Sequence, residues 1–380
     1  MTSAESAAVA TAAGVRVSAA PHQTLQDLQH ALRDWLDAHG LKDRVTLCAA
    51  QPGSVAVGLN ADALAQWAPG FDTLQLAQRL GLESADDERA LQRETVVAML
   101  AAPIQMAFSS LDELQSAVNV RVHIAQAARR TALAFCTEAA ERPADYWHYD
   151  DEHGFLLKPS QCLIAALQAA TQPDVTGRRY DFSCYRATEY VILLGLAREL
   201  AERNPPLLTA LAEVSRRRAI RSALFHDVFL IEYGSMEQPL PPRYYVPGDR
   251  VWFRNPDERS ADIPGYEGSW VIYLGGGVFS NFWKRDQPYS FDAKCVEIHH
   301  WRDGAQLNDQ GELVMDESVV DRLTAATLQD AARTADVLAR MQRLRDPKGV
   351  YADGGCIDRT REYPRQLHAG TSDIRLPAPD

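Results

Sequence analysis

The chain has 380 residues, and its 39 Lys and Arg against 51 Asp and Glu leave a formal net charge of −12. An acidic chain without a clustered basic face is a poor match for a polyanion, which excludes nucleic acid as an expected partner. With 46% apolar and 24% charged residues and no apolar run approaching the ~18–20 residues that cross a bilayer, the composition is that of a globular protein with no membrane partner, expected in the cytoplasm.

Residues 1–23 alternate Ala, Ser, Thr and Val without periodicity and predict a flexible arm. Leu25, Leu28, Leu32, Trp35 and Leu36 then recur at helical spacing, Thr24 and Asp27 stand at capping-box distance, and Gly40 marks a stop. Short periodic pieces with Gly and Pro breaks extend this into an accessory helical region over 24–104. Ser110, with Glu113 three residues on, opens a long helix whose apolar stripe runs through Leu114, Val118, Ile124 and Ala127. Tyr146–Tyr149 and Phe155–Leu157 predict a short hairpin, with another helix after Pro159. The arginines at 129–130 and 216–218 read as solvated helix faces.

From Tyr244 the period changes. YYVPGDRVWFRNPD, GSWVIYLGGGVFSNFW and AKCVEIHHW are β-branched and aromatic runs separated by Pro-Gly and Gly-Gly-Gly turns, and they predict antiparallel strands. Asp316 to about Arg345 returns to helical pattern, and residues 346–380 read as a loose tail. Helices followed by strands make the 105–345 domain α+β.

The six cysteines (Cys48, Cys136, Cys162, Cys184, Cys295, Cys356) form no CxxC pair and have no His at metal-ligand spacing, so neither zinc nor a disulfide framework is expected. Cys136, Cys162 and Cys295 lie in apolar patterns and read as core, and Cys48 and Cys356 carry no reason to react. Cys184 differs, because it follows the polar loop ending at Asp181 and precedes the helical run through Val191, Leu194 and Leu196. A thiol at a helix N-terminus meets free backbone N–H groups that favour the thiolate.

Several segments, in order, resemble the spore-coat type of protein-glutamine gamma-glutamyltransferase, a calcium-independent bacterial transglutaminase family. They are Phe108–Ala128, DYWHYDDEHGFLLKPSQCL (145–163), DFSCYRATEYVI (181–192), PGDRVWFRNPD (247–257), YEGSWVIYLG (266–275) and WRDGA (301–305). The resemblance spans roughly residues 106–306. It implies a papain-like α+β core in which Cys184 attacks the carboxamide of a protein-bound Gln, releases ammonia and passes the acyl group to a Lys amine. Protein substrates bearing Gln and Lys are the implied partners, with no cofactor.

The family pattern has a Glu before the Cys, a Glu ahead of the buried strand and a His after the strand hairpin. Here those positions hold Ser183, Ser269 and either Asn281 or Phe282. Acid/base help of this kind is worth about 10²–10⁴ in rate, so a replacement is needed. Glu267, two residues before Ser269, is one candidate, His226 a second, and Asn281 a polar partner of the kind that orients a base. Glu189 is expected to be solvated, and His299 and His300, read on a strand, face opposite sides. An inactive binding scaffold and a Cys-dependent deamidase or peptidase stand as alternatives.

Overall fold

The computed structural model describes residues 13–82, 87–135 and 140–378. Cys136 lies outside them. Two sheets organise the described chain. The first contains β1 (Val15–Ser18), β2 (Val45–Ala49), β3 (Ser54–Leu59) and β4 (Met106–Phe108) in the order β2-β3-β1-β4, with β4 parallel to β1. Helix α1 (Leu25–Ala38) begins at the Thr24–Asp27 capping box and lays Leu28, Leu32 and Leu36 into the core beneath this sheet. The region expected to be helical is therefore mixed. Its strands are short, and alternation over four to six residues competes poorly, in a sequence reading, with the neighbouring helical period. The expected arm likewise contains β1, whose Val15 and Val17 are buried.

Helix α2 (Glu88–Leu100) leads through β4 into α3 (Leu111–Arg130), which packs along α5 (Cys184–Arg203). Between them comes the hairpin Trp147–Asp150/Gly154–Leu157, followed by α4 (Leu163–Thr171). The two long helices touch closely at Gly195, where an added Cβ would collide with Ile124. Arg129 is not simply solvated, since its guanidinium donates to the Leu274 carbonyl at 2.9 Å. Cys162 precedes α4 and is exposed, not core.

The second, six-stranded sheet is antiparallel throughout. Helix α6 (Ala223–Phe229) runs into β5 (Leu230–Tyr233), followed by β6 (Arg250–Arg254), β7 (Gly268–Gly275), β8 (Val278–Phe279) and β9 (Tyr289–Ser290). A last strand, β10 (Arg361–Pro364), inserts between β5 and β6 to give the order β9-β8-β7-β6-β10-β5. The expected loose tail thus supplies an interior strand. Beyond it, Leu367 and Ile374 are buried, and Glu113 accepts the Leu367 and His368 amides, both at 2.9 Å, and the Thr371 hydroxyl at 2.7 Å. Ser110 caps α3 through the Glu113 amide, but the carboxylate that a capping box would use is spent on this tail.

AKCVEIHHW is not a strand. It belongs to α7 (Phe291–Gly304), capped by Ser290, whose hydroxyl accepts the Ala293 amide at 3.1 Å. His299 and His300 are accordingly helical neighbours, both buried, and His300 bonds Asp303 and Thr327 at 2.7 and 2.8 Å. Helices α8 (Glu317–Leu328) and α9 (Ala331–Met341) cover α7. No helix among the described residues is long and apolar enough to cross a membrane.

The Pro247–Asp249 motif builds the turn entering β6. Gly248 has φ +85°, and a Cβ there would press on the Arg121 backbone. The turn places Asp249, fully enclosed, 2.6 Å from the buried Arg121 guanidinium and lets it accept the Val246 amide at 2.8 Å. The PGD of the segment that resembles the family is thus a folding device.

Candidate active site

Cys184 is the first residue of α5. Its predecessor Ser183 is the N-cap, and the Ser183 hydroxyl accepts the Arg186 amide at 3.3 Å. The helix start is held against β7 by aromatic packing. Tyr185 meets Trp270 edge-on at 5.4 Å between ring centroids, and the buried Arg250 guanidinium lies 4.4 Å from Tyr185 and 4.2 Å from Trp270. Arg250 also donates to Thr188 on α5 and to Glu362 on β10, both at 2.9 Å. These contacts fix where the helix begins relative to the sheet.

The thiol opens into a cleft of about 340 Å³ that is also lined by Ser269, Asn281, Tyr289, Lys294 and Glu297. Burial pushes the Cys184 thiol above its ordinary pKa. The Trp270 and Tyr185 amides and the Lys294 charge pull it back, while the Glu267 carboxylate adds to the rise. The helix start alone therefore does not make a thiolate here. Desolvation opposes the charged form, and the outcome depends on the charges around the cleft.

Of the sequence candidates, Asn281 shares the cleft with Cys184 but is committed to its own loop. Its amide donates to the Gln287 carbonyl at 3.0 Å and accepts from Trp283 and Lys284. Phe282, the alternative register for the family His, is buried in the core. Glu267 is exposed on the loop before β7 and is not part of the cleft wall. His226 sits on α6, 3.6 Å from Glu362, so it belongs to the group that braces Arg250 and not to the cleft. Glu189 is buried, not solvated. It pairs with Arg186 and accepts the amide of Ser222, a residue with φ +59°, at 2.7 Å.

Sequence reasoning missed Lys294, Glu297 and Tyr289. Lys294 is only 3% exposed, its ammonium 3.0 Å from Glu297 and 4.0 Å above the Tyr289 ring. Burial drives the Tyr289 hydroxyl well above its usual pKa, and its bond to Glu297 adds to this. On a strand, positions 294 and 297 point to opposite faces, whereas on a helix they are neighbours. Ser290 followed by Asp292 in the first turn was the available helix signal.

Elsewhere, Cys295 and Cys356 are buried with sulfurs 3.6 Å apart, and Cys48 is exposed. No group of three or more His, Cys, Asp and Glu placed to hold a metal occurs among the described residues.

A family profile described as protein-glutamine gamma-glutamyltransferase matches residues 74–353. The chain belongs to this transglutaminase family. The match reaches beyond 106–306 on both sides, taking in α2, α8 and α9 of the family domain. A protein-glutamine gamma-glutamyltransferase of Halalkalibacterium halodurans is 26% identical over 223 residues, 55% of this chain and 70% of the relative. Among solved structures, a transglutaminase of Geobacillus stearothermophilus without its C-terminal extension is 17% identical, covering 56% of this chain and 98% of its own, with a TM-score of 0.38. In this chain serines and an asparagine or phenylalanine stand at the positions that the resemblance assigns to acids and a base.

Proposed function

We propose that the protein is a cysteine-dependent protein-glutamine gamma-glutamyltransferase with Cys184 as nucleophile. The observation that carries this reading is the opening of the Cys184 thiol, at a helix start braced against an antiparallel sheet, into a cleft with charged walls. That is also the arrangement a papain-like reading requires. The Cys184 sulfur attacks the side-chain carboxamide of a protein-bound Gln, ammonia leaves, and a thioester remains. A thioester is readily attacked by an amine, so a Lys amine takes the acyl group and restores the thiol. The substrates are proteins bearing Gln and Lys, and the product is an isopeptide crosslink.

The test is incubation of the full chain with a glutaminyl protein and a labelled primary amine, following label incorporation and ammonia release. Both are expected, with a fall of about 10³-fold or more in Cys184→Ala. Incorporation that survives Cys184→Ala, or none with the unaltered protein, overturns the reading.

A further inference from the structure

The acyl-transfer reading of Cys184 leaves a chemical gap. Something must protonate departing ammonia and then deprotonate the incoming amine. Ser183 and Ser269 do not titrate in the working range, Asn281 is held by its loop, His226 is engaged with Glu362, and Glu267 is exposed to solvent on the loop before β7, where its charge raises the thiol pKa. Lys294 is the group that the fold places there. It is on α7, enclosed to 97% by the protein, and it lines the same cleft as the Cys184 sulfur. Its position is set by Glu297 at 3.0 Å and by the faces of Tyr289 at 4.0 Å and Trp301 at 5.8 Å.

The other charged groups around the cleft have different engagements. On α8, Glu317 accepts the Tyr266 hydroxyl at 2.7 Å, and Asp321 takes Lys284 of the hairpin loop at 3.4 Å. Glu267 is exposed on the loop before β7, and its carboxylate raises the Cys184 pKa.

Resting on that reading, we propose that Lys294, positioned by Glu297, is the proton carrier of the reaction, in place of the family's acid/base residues. A buried lysine is suited to this, because its ammonium is a compact charge that can give up a proton and take it back. The reacting form has Cys184 as thiolate and Lys294 as ammonium in the same cleft, the thiol having first lost its proton to solvent. The sulfur adds to the Gln carboxamide carbon. When the C–N bond breaks, Lys294 gives a proton to the departing nitrogen, leaving ammonia, the thioester and a neutral Lys294 amine. The acceptor amine then forms its bond to the acyl carbon while losing a proton to Lys294. The C–S bond breaks with its electron pair on sulfur, and the thiolate–ammonium pair is restored. Charge and protons balance over the cycle, and no further reactant is needed.

The experiment combines turnover with the pH profile of Cys184 alkylation by iodoacetamide. Lys294→Met removes both charge and proton. The alkylation midpoint is expected to rise by about one unit or more, and ammonia release to fall by about 10² or more. Lys294→Arg keeps the charge but has no proton to give, so its midpoint is expected near that of the unaltered protein while ammonia release falls similarly. Glu297→Gln removes the carboxylate that holds the Lys294 ammonium at 3.0 Å and is expected to lower ammonia release by about tenfold or more. It also keeps the inference testable should Lys294→Met fail to fold. Full turnover in Lys294→Arg, or a folded Lys294→Met with an unchanged midpoint, overturns the inference. So does full ammonia release in Glu297→Gln. If the unaltered protein shows no Cys184-dependent amine incorporation, the acyl-transfer reading itself fails, which is a separate outcome.

Discussion

The turn at Pro247–Asp249 and the cleft at Cys184 each hold a Lys or Arg against a carboxylate, yet the two pairs differ in what surrounds them. Arg121 and Asp249 are each 1% exposed, with protein on every side. Lys294 is similarly enclosed, but its partner Glu297 retains 19% exposure and both line a cavity. A pair sealed on all sides spends its charge on its own desolvation and serves to fix a turn. A pair at a cavity wall keeps charge available to whatever enters. The sealed pair includes the aspartate of a segment that carries the family resemblance, PGDRVWFRNPD, whereas Lys294 and Glu297 lie outside the segments that carry it.

The largest effect that would test this contrast is loss of the sealed pair. Arg121→Met leaves Asp249 buried without its partner and is expected to cost about 3–5 kcal/mol, read as a lower midpoint in urea. Lys294→Met, which leaves Glu297 partly solvated, is expected to cost less than Arg121→Met while strongly altering cysteine reactivity. Equal losses at the two sites would break the comparison.

Glu94 sharpens it from a third position. This carboxyl is buried on α2 and accepts the Gly276 amide at 2.9 and 3.0 Å, clamping the glycine turn that leads to the cleft hairpin. Burial raises its pKa from 4.5 to about 7, against the opposing effects of Gly276, Tyr273 and Arg129. A carboxyl raised on folding holds its proton more tightly in the native state, so its contribution is fully present below about 4.5 and is lost as pH rises through about 7. Glu94→Gln is therefore expected to remove a pH-dependent loss of stability of about 3 kcal/mol across that window, measured as Tm against pH for both proteins. Equal slopes would show that the carboxyl is hydrated in the native state. At Glu113, Glu113→Gln weakens bonds to the C-terminal segment and is expected to cost about 1–3 kcal/mol. Hydrogen exchange at Leu367 and His368 should rise with it.

The helices with long apolar stripes were legible in the sequence. Thr24 capping α1 and the stripe of α3 through Leu114, Val118 and Ile124 needed only local spacing. The hairpin at 147–157 and the strands around Val251 and Ile272 were legible for the same reason. What was missed depends on partners far along the chain. β10 is a strand because β5 and β6 leave a place for it, and residues 294–301 form a helix although their β-branched and aromatic content suggests otherwise. Within the site, Cys184 stood out from its local context, whereas Lys294 did not, since its meaning lies in a cleft assembled from α5, β7 and α7.

The sequence by itself determined the α+β class, the resemblance to the transglutaminase family and the cysteine proposed as nucleophile. Each follows from side-chain period or residue order within a short stretch. Only the tertiary structure decided that the expected tail is an interior strand, that the PGD aspartate is buried against Arg121, and that Lys294 and Glu297 share a wall with Cys184. Burial is a property of what surrounds a residue, and the segments that enclose Asp249 and bring Lys294 to the Cys184 cleft lie more than a hundred residues apart in the chain.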